Sequence, residues 1–550
     1  MSKNEMTIPS KNNISQIVFS NKLFFIFGIL VVLLYALIVV ALPLVSQFLI
    51  DELLGATIVS QVYTSIIVFF VVCMLQPLLY FIKERIFIAL SENVSYKLRI
   101  KLFYQLSILP IEYYSTHNYG EISTKIISDS LNIGSFVYTI CNGLIASVIS
   151  ILCIVVAMFL QSIILSTIIL IAVVIYVVVS FFVSKRFQSY SSRGIALAEN
   201  MQNSIKTSFD NIILTKTFLI EKHHNQKFDT LVTNTKHNNL KIRKISSLFN
   251  VVNMAISTLA LSIIYGIGAL MVIDKTMSLG TVIAMGLFFQ SLSIPITQLI
   301  SSNISYNQVK PCIKRISNLL DETSESGDIQ INPQNLSIKM TDVCFQYPDS
   351  DNPILNKFNL EISSAGKYGI IGHSGCGKST VAKLILGLYG IESGNIQVFG
   401  ENIVGVDKNS LRNNISYVEQ ETELLNDSIL SNLTVGNILA TKEEVIQACK
   451  LIGIHDKIIA LDDGYDSILS DKVNLSVGEK RRISIARALL KKAQIYIFDE
   501  PEVSIEEEFK DALLKIFDSL SKDKIVLVIT HNSDLLESFH SKIYIEHFAK

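Results

Sequence analysis

A glycine-rich segment, GHSGCGKST at residues 372–380, carries the most specific chemistry in this sequence. It follows the apolar stretch Tyr368 to Ile371, which is typical of a strand, and it leads into a stretch that is typical of a helix. Glycines let backbone N–H groups converge on phosphate oxygens, and the N-terminus of the helix adds positive potential. Lys378 can reach the β- and γ-phosphates, and the Ser379 hydroxyl can ligate Mg²⁺. We therefore predict that this loop binds the phosphates of a nucleotide through Gly372, His373, Ser374, Gly375, Cys376, Gly377, Lys378, Ser379 and Thr380.

A second apolar stretch, IYIFDE at residues 495–500, ends in two carboxylates. Asp499 at the C-terminal end of a buried strand is suited to hold Mg²⁺ beside the phosphate loop, and Glu500 can polarise the attacking water. A third apolar stretch, Lys524 to Thr530, ends at His531, which can approach the γ-phosphate from the same sheet edge. These positions predict hydrolysis of the nucleotide, with Glu500, His531 and Lys378 as the catalytic residues.

The segment NLSVGEKRRISIARALL, residues 474–490, places a serine and a glycine just before an amphipathic helix. The N-terminus of such a helix can bind an anion. Because the chain already has one phosphate loop, a second anion site indicates that it serves the nucleotide of another subunit. The alternative interpretation is a capped helix without a ligand.

Long uncharged stretches occupy the first part of the chain, and each exceeds the roughly 20 residues that a helix needs to cross the hydrocarbon. One of them has room for two helices with a hinge near Gln161 and Ser162, so six membrane spans are predicted. The connecting segments 83–129 and 185–244 contain six and eleven Lys and Arg residues. The positive-inside rule therefore places both segments and both termini in the cytoplasm, with the chain in the cell membrane. The uncharged stretches are Leu23 to Ile50, Leu53 to Ile82, Ser130 to Ser184, Ile245 to Ile273 and Thr276 to Val309.

The composition favours a membrane protein, because half of the 550 residues are apolar and only 17% are charged, against about 25% in soluble domains. No basic run of the kind that follows nucleic acid is present, so nucleic acid is excluded as a partner. The seven cysteines are scattered without a C-x-x-C pair, which disfavours a disulfide framework or a zinc site. We predict a cytoplasmic segment 1–22, a transmembrane domain 23–320, a polar linker 321–336 and a nucleotide-binding domain 337–550.

With these motifs in this order, the chain resembles a half-transporter of the ABC exporter type, in which six spans are fused to one ATP-binding cassette. The resemblance implies a multi-domain fold: an all-α polytopic membrane domain with long cytoplasmic helix extensions, followed by an α/β P-loop domain. It also implies ATP and Mg²⁺ as cofactors and a dimer with a shared site. The residue roles that it implies are adenine stacking for Tyr347, Mg²⁺ contact and coupling for Gln420, contact with the partner's ATP for Ser476 and Gly478, and the switch histidine for His531.

Two further segments, 109–129 and 211–221, resemble the coupling-helix regions of the family, which dock on a cassette, commonly that of the opposite subunit. The sequence also departs from the family pattern. The signature LSGGQ is LSVGE here, with Val477 and Glu479, and the D-loop SALD is VSIE, with Glu506. These changes predict a weaker contact with the γ-phosphate, whereas Glu500 and His531 predict an active cassette.

The leading functional prediction is ATP-driven export of an amphipathic peptide of the antimicrobial or bacteriocin type by alternating access of a dimer. A homodimer is favoured, and a heterodimer with a second half-transporter stays open. The predicted spans contain no charged residue, which disfavours an ion path. Their amides either line a cavity or join helices by hydrogen bonds: Gln76, Asn142, Asn253, Gln290 and Gln298. The alternatives are a lipid or multidrug flippase and an ATP-gated channel or sensor.

Overall fold

A computed structural model describes residues 22–55, 59–325, 327–348, 350, 352–373, 375–469, 475–502, 507–532, 534–537 and 539–545. These residues form two compact units. The first, the membrane unit, comprises 22–105 and Gly120–Asp321. The second, the cassette unit, comprises Leu106–Tyr119 and 322–545.

Six helices in the described residues are long and apolar enough to cross a membrane, as predicted. The predicted hinge is also confirmed, because Ser162 is extended (φ −161°, ψ 121°) and its side chain caps the following helix by accepting from the Leu165 N–H at 3.4 Å. The spanning segments are Lys22–Leu54, Val62–Ser107, Tyr119–Gln161, Ile163–Val183, Glu221–Ile273 and Leu279–Asp321. The underlying helices are Lys22–Gly55, Val59–Ser107, Tyr119–Thr124, Ser130–Tyr138, Ala146–Gln161, Ile163–Asp210, Ile212–Thr217, Glu221–Ile273 and Leu279–Asp321, with π-helical turns at Lys125–Asp129 and Thr139–Ile145.

Polar contacts join the first helix to the sixth span where the latter begins. Asp51 accepts hydrogen bonds from the Ser278 hydroxyl at 2.7 Å and from the Gly280 N–H at 2.9 Å. A Cβ atom at Gly280 would lie 2.5 Å from the Gln47 carbonyl oxygen, so only glycine permits this approach. At the other end of the last helix, Arg315 makes a bidentate ion pair with the buried Asp129, at 2.6 and 2.7 Å.

The second helix continues past the predicted span and buries charge directly after Ile82. Lys83 is 3% exposed, and its ammonium group lies 4.5 Å from the ring centre of Tyr35. Glu84 accepts from the Tyr138 hydroxyl at 2.6 Å and from the Asn142 amide at 2.7 Å. The packed helix therefore extends beyond the predicted span, because hydropathy ends a span at its first charged residue even where the helix stays packed. Asn142 joins helices, which was one of the two interpretations of the amides.

The cassette unit contains a parallel five-stranded sheet of order β6-β7-β8-β3-β9. Every residue of β7 and β8 is buried, which explains their uninterrupted apolar sequences. Because β7 and β8 are neighbours and β3 follows β8, their C-terminal ends meet at one sheet edge. The five strands are β3 Gly366–Ile371, β6 Ile415–Val418, β7 Ile495–Asp499, β8 Ile525–Thr530 and β9 Ser541–Tyr544.

A smaller antiparallel sheet of order β2-β1-β4-β5 packs with helices to complete the unit, and the fold class predicted from the sequence is confirmed. Its strands are β1 Ile338–Phe345, β2 Leu355–Ile362, β4 Ser393–Val398 and β5 Glu401–Asn402. The α-helices of the cassette unit are Ile111–Thr116, Lys378–Ile385, Lys408–Asn413, Ile429–Thr434, Lys442–Leu451, His455–Ile459, Val477–Leu490 and Glu507–Leu520.

The first coupling segment belongs in part to the cassette unit of its own chain. Glu112, in the helix Ile111–Thr116, accepts a hydrogen bond from the Gly390 N–H at 3.0 Å. The Ile108 carbonyl accepts from the Glu325 N–H at 3.0 Å, and the Glu325 carboxylate pairs with Arg412. This segment therefore docks in cis, through backbone groups that the sequence pattern does not reveal.

Candidate nucleotide-binding site

The phosphate loop lies between β3 and the helix Lys378–Ile385, as the sequence predicts. Gly375 and Gly377 have φ values of +83° and +99°, a left-handed conformation that favours glycine. At Gly372 a Cβ atom would lie 2.5 Å from the Cys376 sulfur, so the buried thiol occupies the space under the loop. The Cys376 N–H donates to the His373 carbonyl at 3.3 Å, and its contact with a phosphate stays a prediction. Ser374 lies outside the described residues.

Lys378 is held inside the loop that it is predicted to serve. Its side chain is buried, and the ammonium group donates hydrogen bonds to the carbonyls of Gly372 at 2.8 Å and His373 at 3.0 Å. Both carbonyls belong to the loop itself, so the positive charge sits where the loop N–H groups converge. A phosphate oxygen can replace either carbonyl as the acceptor.

Asp499 ends β7 with a carboxylate that is 1% exposed. Its Oδ2 atom accepts from the Tyr417 hydroxyl at 3.2 Å, whereas Oδ1 is buried with no hydrogen-bond partner in the described part of the chain. Burial raises the pKa of Asp499, and the neighbouring Ser379 and Tyr417 hydroxyls offset this only in part. An unsatisfied buried carboxylate oxygen near a serine hydroxyl suits a hard divalent cation. The residues therefore fit Mg²⁺.

Glu500 contacts two other predicted site residues, Gln420 and His531. Its Oε2 atom accepts from the Gln420 amide at 2.7 Å, and its Oε1 atom lies 3.6 Å from Nδ1 of His531. The Glu500 backbone is left-handed (φ 47°), a conformation that costs about 1–3 kcal/mol for a residue with a side chain. The Ile529 carbonyl holds it there by accepting from the Glu500 N–H at 2.8 Å. The carboxylate is thus fixed between the glutamine and the histidine.

Arg481 supports this arrangement and is absent from the residues predicted above. It is 3% exposed, and its guanidinium donates to the carbonyls of Glu500 at 2.8 Å and Asp499 at 3.4 Å. It also donates to the carbonyl of Glu419, the residue before Gln420. Burial lowers the pKa of Arg481, against the pull of the nearby carboxylates. The sequence did contain a signal that Arg481 is buried, because it lies on the same face of its helix as the apolar residues four and seven positions later.

Tyr347 lies beside the helix that follows the phosphate loop. Its hydroxyl is 3.1 Å from Oγ1 of Thr380, and its ring packs edge-on against Tyr389, with 5.1 Å between ring centres. Tyr389 is not among the residues predicted from the sequence. The structure thus places the predicted adenine-stacking ring next to the loop, and the stacking itself stays a prediction.

Ser476 begins the helix Val477–Leu490 through a capping box. Its Oγ atom accepts from the Glu479 N–H at 3.2 Å, and its own N–H donates to the Glu479 carboxylate at 2.8 Å. Burial opposes ionisation of Glu479, but these bonds and the charge of Lys457 outweigh it and lower its pKa. The structure thus confirms that the helix is capped, and the ligand role of Ser476 and Gly478 stays a prediction. Glu506 lies outside the described residues.

The capping box predicts that the Glu479 departure is tolerated. Glutamine can accept the same Ser476 N–H, so Glu479→Gln removes only the partly exposed ion pair with Lys457, at 3.4 Å. Partly exposed ion pairs contribute about 1 kcal/mol or less to the stability of a structure. The ATPase rate of the full chain is therefore expected to change by less than about fivefold. Phosphate release from the purified protein measures this. A larger change would show that the carboxylate itself acts on the nucleotide.

A nucleotide-binding domain on a chain whose described residues include six helices apolar enough to cross a membrane is typical of ATP-hydrolysing membrane transporters. Comparison with known families is more specific. Residues 25–296 match the family described as ABC transporter transmembrane region, and residues 355–503 match the family described as ABC transporter. Together these matches cover most of the chain, which belongs to the ABC transporters, as a half-transporter with one membrane domain and one cassette.

Similar proteins include two from Staphylococcus aureus, strains NCTC 8325 and bovine RF122/ET3-1, which are named as candidate multidrug export ATP-binding/permease proteins. Each is 27% identical to this chain over 487 residues, which cover 87% of this chain and 84% of the relative. A solved structure described as a bacterial Atm1-family ABC exporter with ATP bound is similar in fold, with a TM-score of 0.82 and 23% identity. That likeness covers 96% of this chain and 94% of the other.

Proposed function

We propose that the chain exports an amphipathic peptide across the cell membrane as a dimer, with ATP hydrolysis driving alternating access. The observation that carries the proposal is the position of Glu500 between Gln420 and His531, next to the unsatisfied oxygen of Asp499. These groups belong to a chain with six apolar helices. In this proposal both termini and the cassette are cytoplasmic, because the basic connecting segments are on that side.

Each catalytic side chain has a defined task in this proposal. Lys378 moves from its loop carbonyls to phosphate oxygens and stabilises the charge that develops on the transferred group. Glu500 accepts a hydrogen bond from the attacking water, while Gln420 and His531 hold its carboxylate in place. Ser379 and Asp499, with Gln420, would hold Mg²⁺, which would supply positive charge to stabilise the phosphate oxygens.

The second coupling segment supports a dimer. Its short helix, Ile212–Thr217, and the following turn leave large apolar side chains in solvent, with Ile213 81%, Phe218 71% and Leu219 79% exposed. Exposed apolar patches of this kind mark interaction surfaces. We propose a second copy of this chain as the partner, whose cassette receives the patch. A different half-transporter is the alternative.

Drug or lipid export is the second candidate, because the two Staphylococcus aureus relatives are named for multidrug export. The test uses the full chain in sealed liposomes with cassettes outward, given Mg²⁺ and ATP. A neutral hydrophobic peptide, a fluorescent phospholipid and a cationic dye are compared for uptake against a gradient. We expect ATP-dependent peptide accumulation, which Lys378→Ala abolishes. Dye or lipid accumulation without peptide uptake would support the second candidate, and downhill flux alone would support a channel.

A further inference from the structure

The membrane unit contains an apolar cavity of about 330 Å³, bounded by the helices Ala146–Gln161, Ile163–Asp210 and Leu279–Asp321. This volume is at the lower end of ligand pockets, which run from about 300 to 1,000 Å³. Its walls are aliphatic and aromatic except for Ser166 and Asn303. We call this space the apolar lobe.

Ser166 contributes a polar atom to the apolar lobe that the protein does not satisfy. The residue is 0% exposed, and its hydroxyl has no hydrogen-bond partner in the part of the chain that the structure describes. Serine in a helix commonly donates to the carbonyl four residues earlier, as Ser180 does to Tyr176 at 2.7 Å. A buried hydroxyl without a partner is unfavourable, and a ligand carbonyl in the lobe could accept from it.

A second space, of about 190 Å³, adjoins the first and is called the polar lobe here. The two share Val173, Leu292 and Ile296 in their walls, so they lie next to each other. Asn253 and Gln290 line the polar lobe, and neither side chain makes a hydrogen bond to the described residues. They offer both donors and acceptors to a ligand.

We propose that the two lobes together bind the exported substrate as an uncharged amphiphile, and this inference rests on the export function proposed above. The apolar lobe takes aliphatic or aromatic side chains of a hydrophobic peptide, and the polar lobe takes its backbone or side-chain amides. Among the described residues that line either lobe, none is charged. An ionised substrate group would lose its hydration there without gaining a counter-ion. The cavity therefore selects a neutral peptide over a cationic dye.

Tryptophan fluorescence can test this inference directly, because the chain contains no tryptophan. The probe is an acetylated, amidated peptide of leucine, phenylalanine and asparagine with one tryptophan, titrated onto the full chain in lipid nanodiscs without nucleotide. Empty nanodiscs correct for partitioning into lipid. We expect saturable, blue-shifted emission and about tenfold weaker binding of an analogue in which one asparagine is lysine. Absence of saturable binding, or equal binding of both peptides, would overturn the inference.

Two neighbouring valines provide a matched pair of variants. Val173→Phe places a larger side chain in the wall that both lobes share and is expected to weaken probe binding about tenfold. Val174→Phe makes the same change at a side chain that is 57% exposed and lines neither lobe, so binding and basal ATPase activity should persist. Ser166→Ala, which leaves the fold well packed, is expected to weaken binding about fivefold by removing the free hydroxyl.

The outcomes separate this inference from the export function. If neither Val173→Phe nor Ser166→Ala weakens binding, the cavity assignment is wrong, even where wild-type vesicles accumulate the peptide with ATP. If Val173→Phe does not fold, judged by its thermal unfolding, Ser166→Ala alone decides. If vesicles that contain the wild-type chain accumulate neither peptide, lipid nor dye with ATP, the proposed export function itself is wrong.

Discussion

Glu500→Gln is expected to lower the ATPase rate of the full chain by about 10²- to 10³-fold while ATP still binds. The amide oxygen of glutamine can accept the Gln420 hydrogen bond that the carboxylate accepts at 2.7 Å, so the loop keeps its geometry. What is lost is the negative charge that we propose orients and polarises the attacking water. We expect little change in ATP binding, because the loop and Asp499 are the residues proposed to contact the phosphates and the metal ion. The variant should therefore retain ATP in a closed dimer.

Phosphate release and retention of labelled ATP after gel filtration measure the two parts of this prediction. Glu423→Gln is the matched control, since it makes the same change at an exposed side chain in the segment after Gln420, and it should keep the wild-type rate. Turnover of Glu500→Gln within about twofold of wild type would contradict the assignment of Glu500. Loss of ATP binding in Glu500→Gln would instead show that the carboxylate holds the loop together.

Sequence patterns predicted the phosphate loop, β7 and β8 because local constraints decide them. The loop needs glycine at Gly375 and Gly377 for their left-handed backbone, and two strands buried on both faces must be apolar throughout. The six spans followed from the length of the uncharged stretches, and the hinge followed from the polar pair at Gln161 and Ser162.

Tertiary packing decided the features that the sequence did not reveal. Lys83 and Glu84 look like the first residues of a cytoplasmic loop, yet Lys83 is buried against the rings of Tyr35 and Tyr80. Glu84 accepts hydrogen bonds from a tyrosine hydroxyl and an amide of another span. The docking of residues 106–119 depends on Gly390 and Glu325, which are far away in sequence. Tyr389 reaches the site by packing against Tyr347, which lies 42 positions earlier in the chain. None of these contacts leaves a periodic pattern.

Arg481→Met is expected to destabilise the cassette and to lower its ATPase rate more than about tenfold. The substitution leaves the carbonyls of Glu419 and Glu500 without the donor that now joins them, and it removes the buried positive charge near Asp499, Glu500 and Glu502. Breaking a buried charge network of this kind costs roughly 3–5 kcal/mol. Glu500 would also lose one of the contacts that fix its left-handed backbone, so its carboxylate would shift relative to Gln420 and His531.

The next residue provides the control for this prediction. Arg482→Met makes the same change at a side chain that is only partly buried and bonds to the Gly453 carbonyl at 3.0 Å, away from the catalytic groups. The thermal unfolding midpoint and the rate of phosphate release are measured for both variants. Arg481→Lys is added because lysine keeps the positive charge but lacks the planar guanidinium that donates to two carbonyls at once. We expect Arg481→Lys to recover part of the stability and little of the rate. If the Arg481 guanidinium positions Glu500, the ATPase rate of Arg481→Met must fall even at temperatures where the cassette is fully folded. Equal ATPase rates for Arg481→Met and Arg482→Met would therefore show that it does not position Glu500.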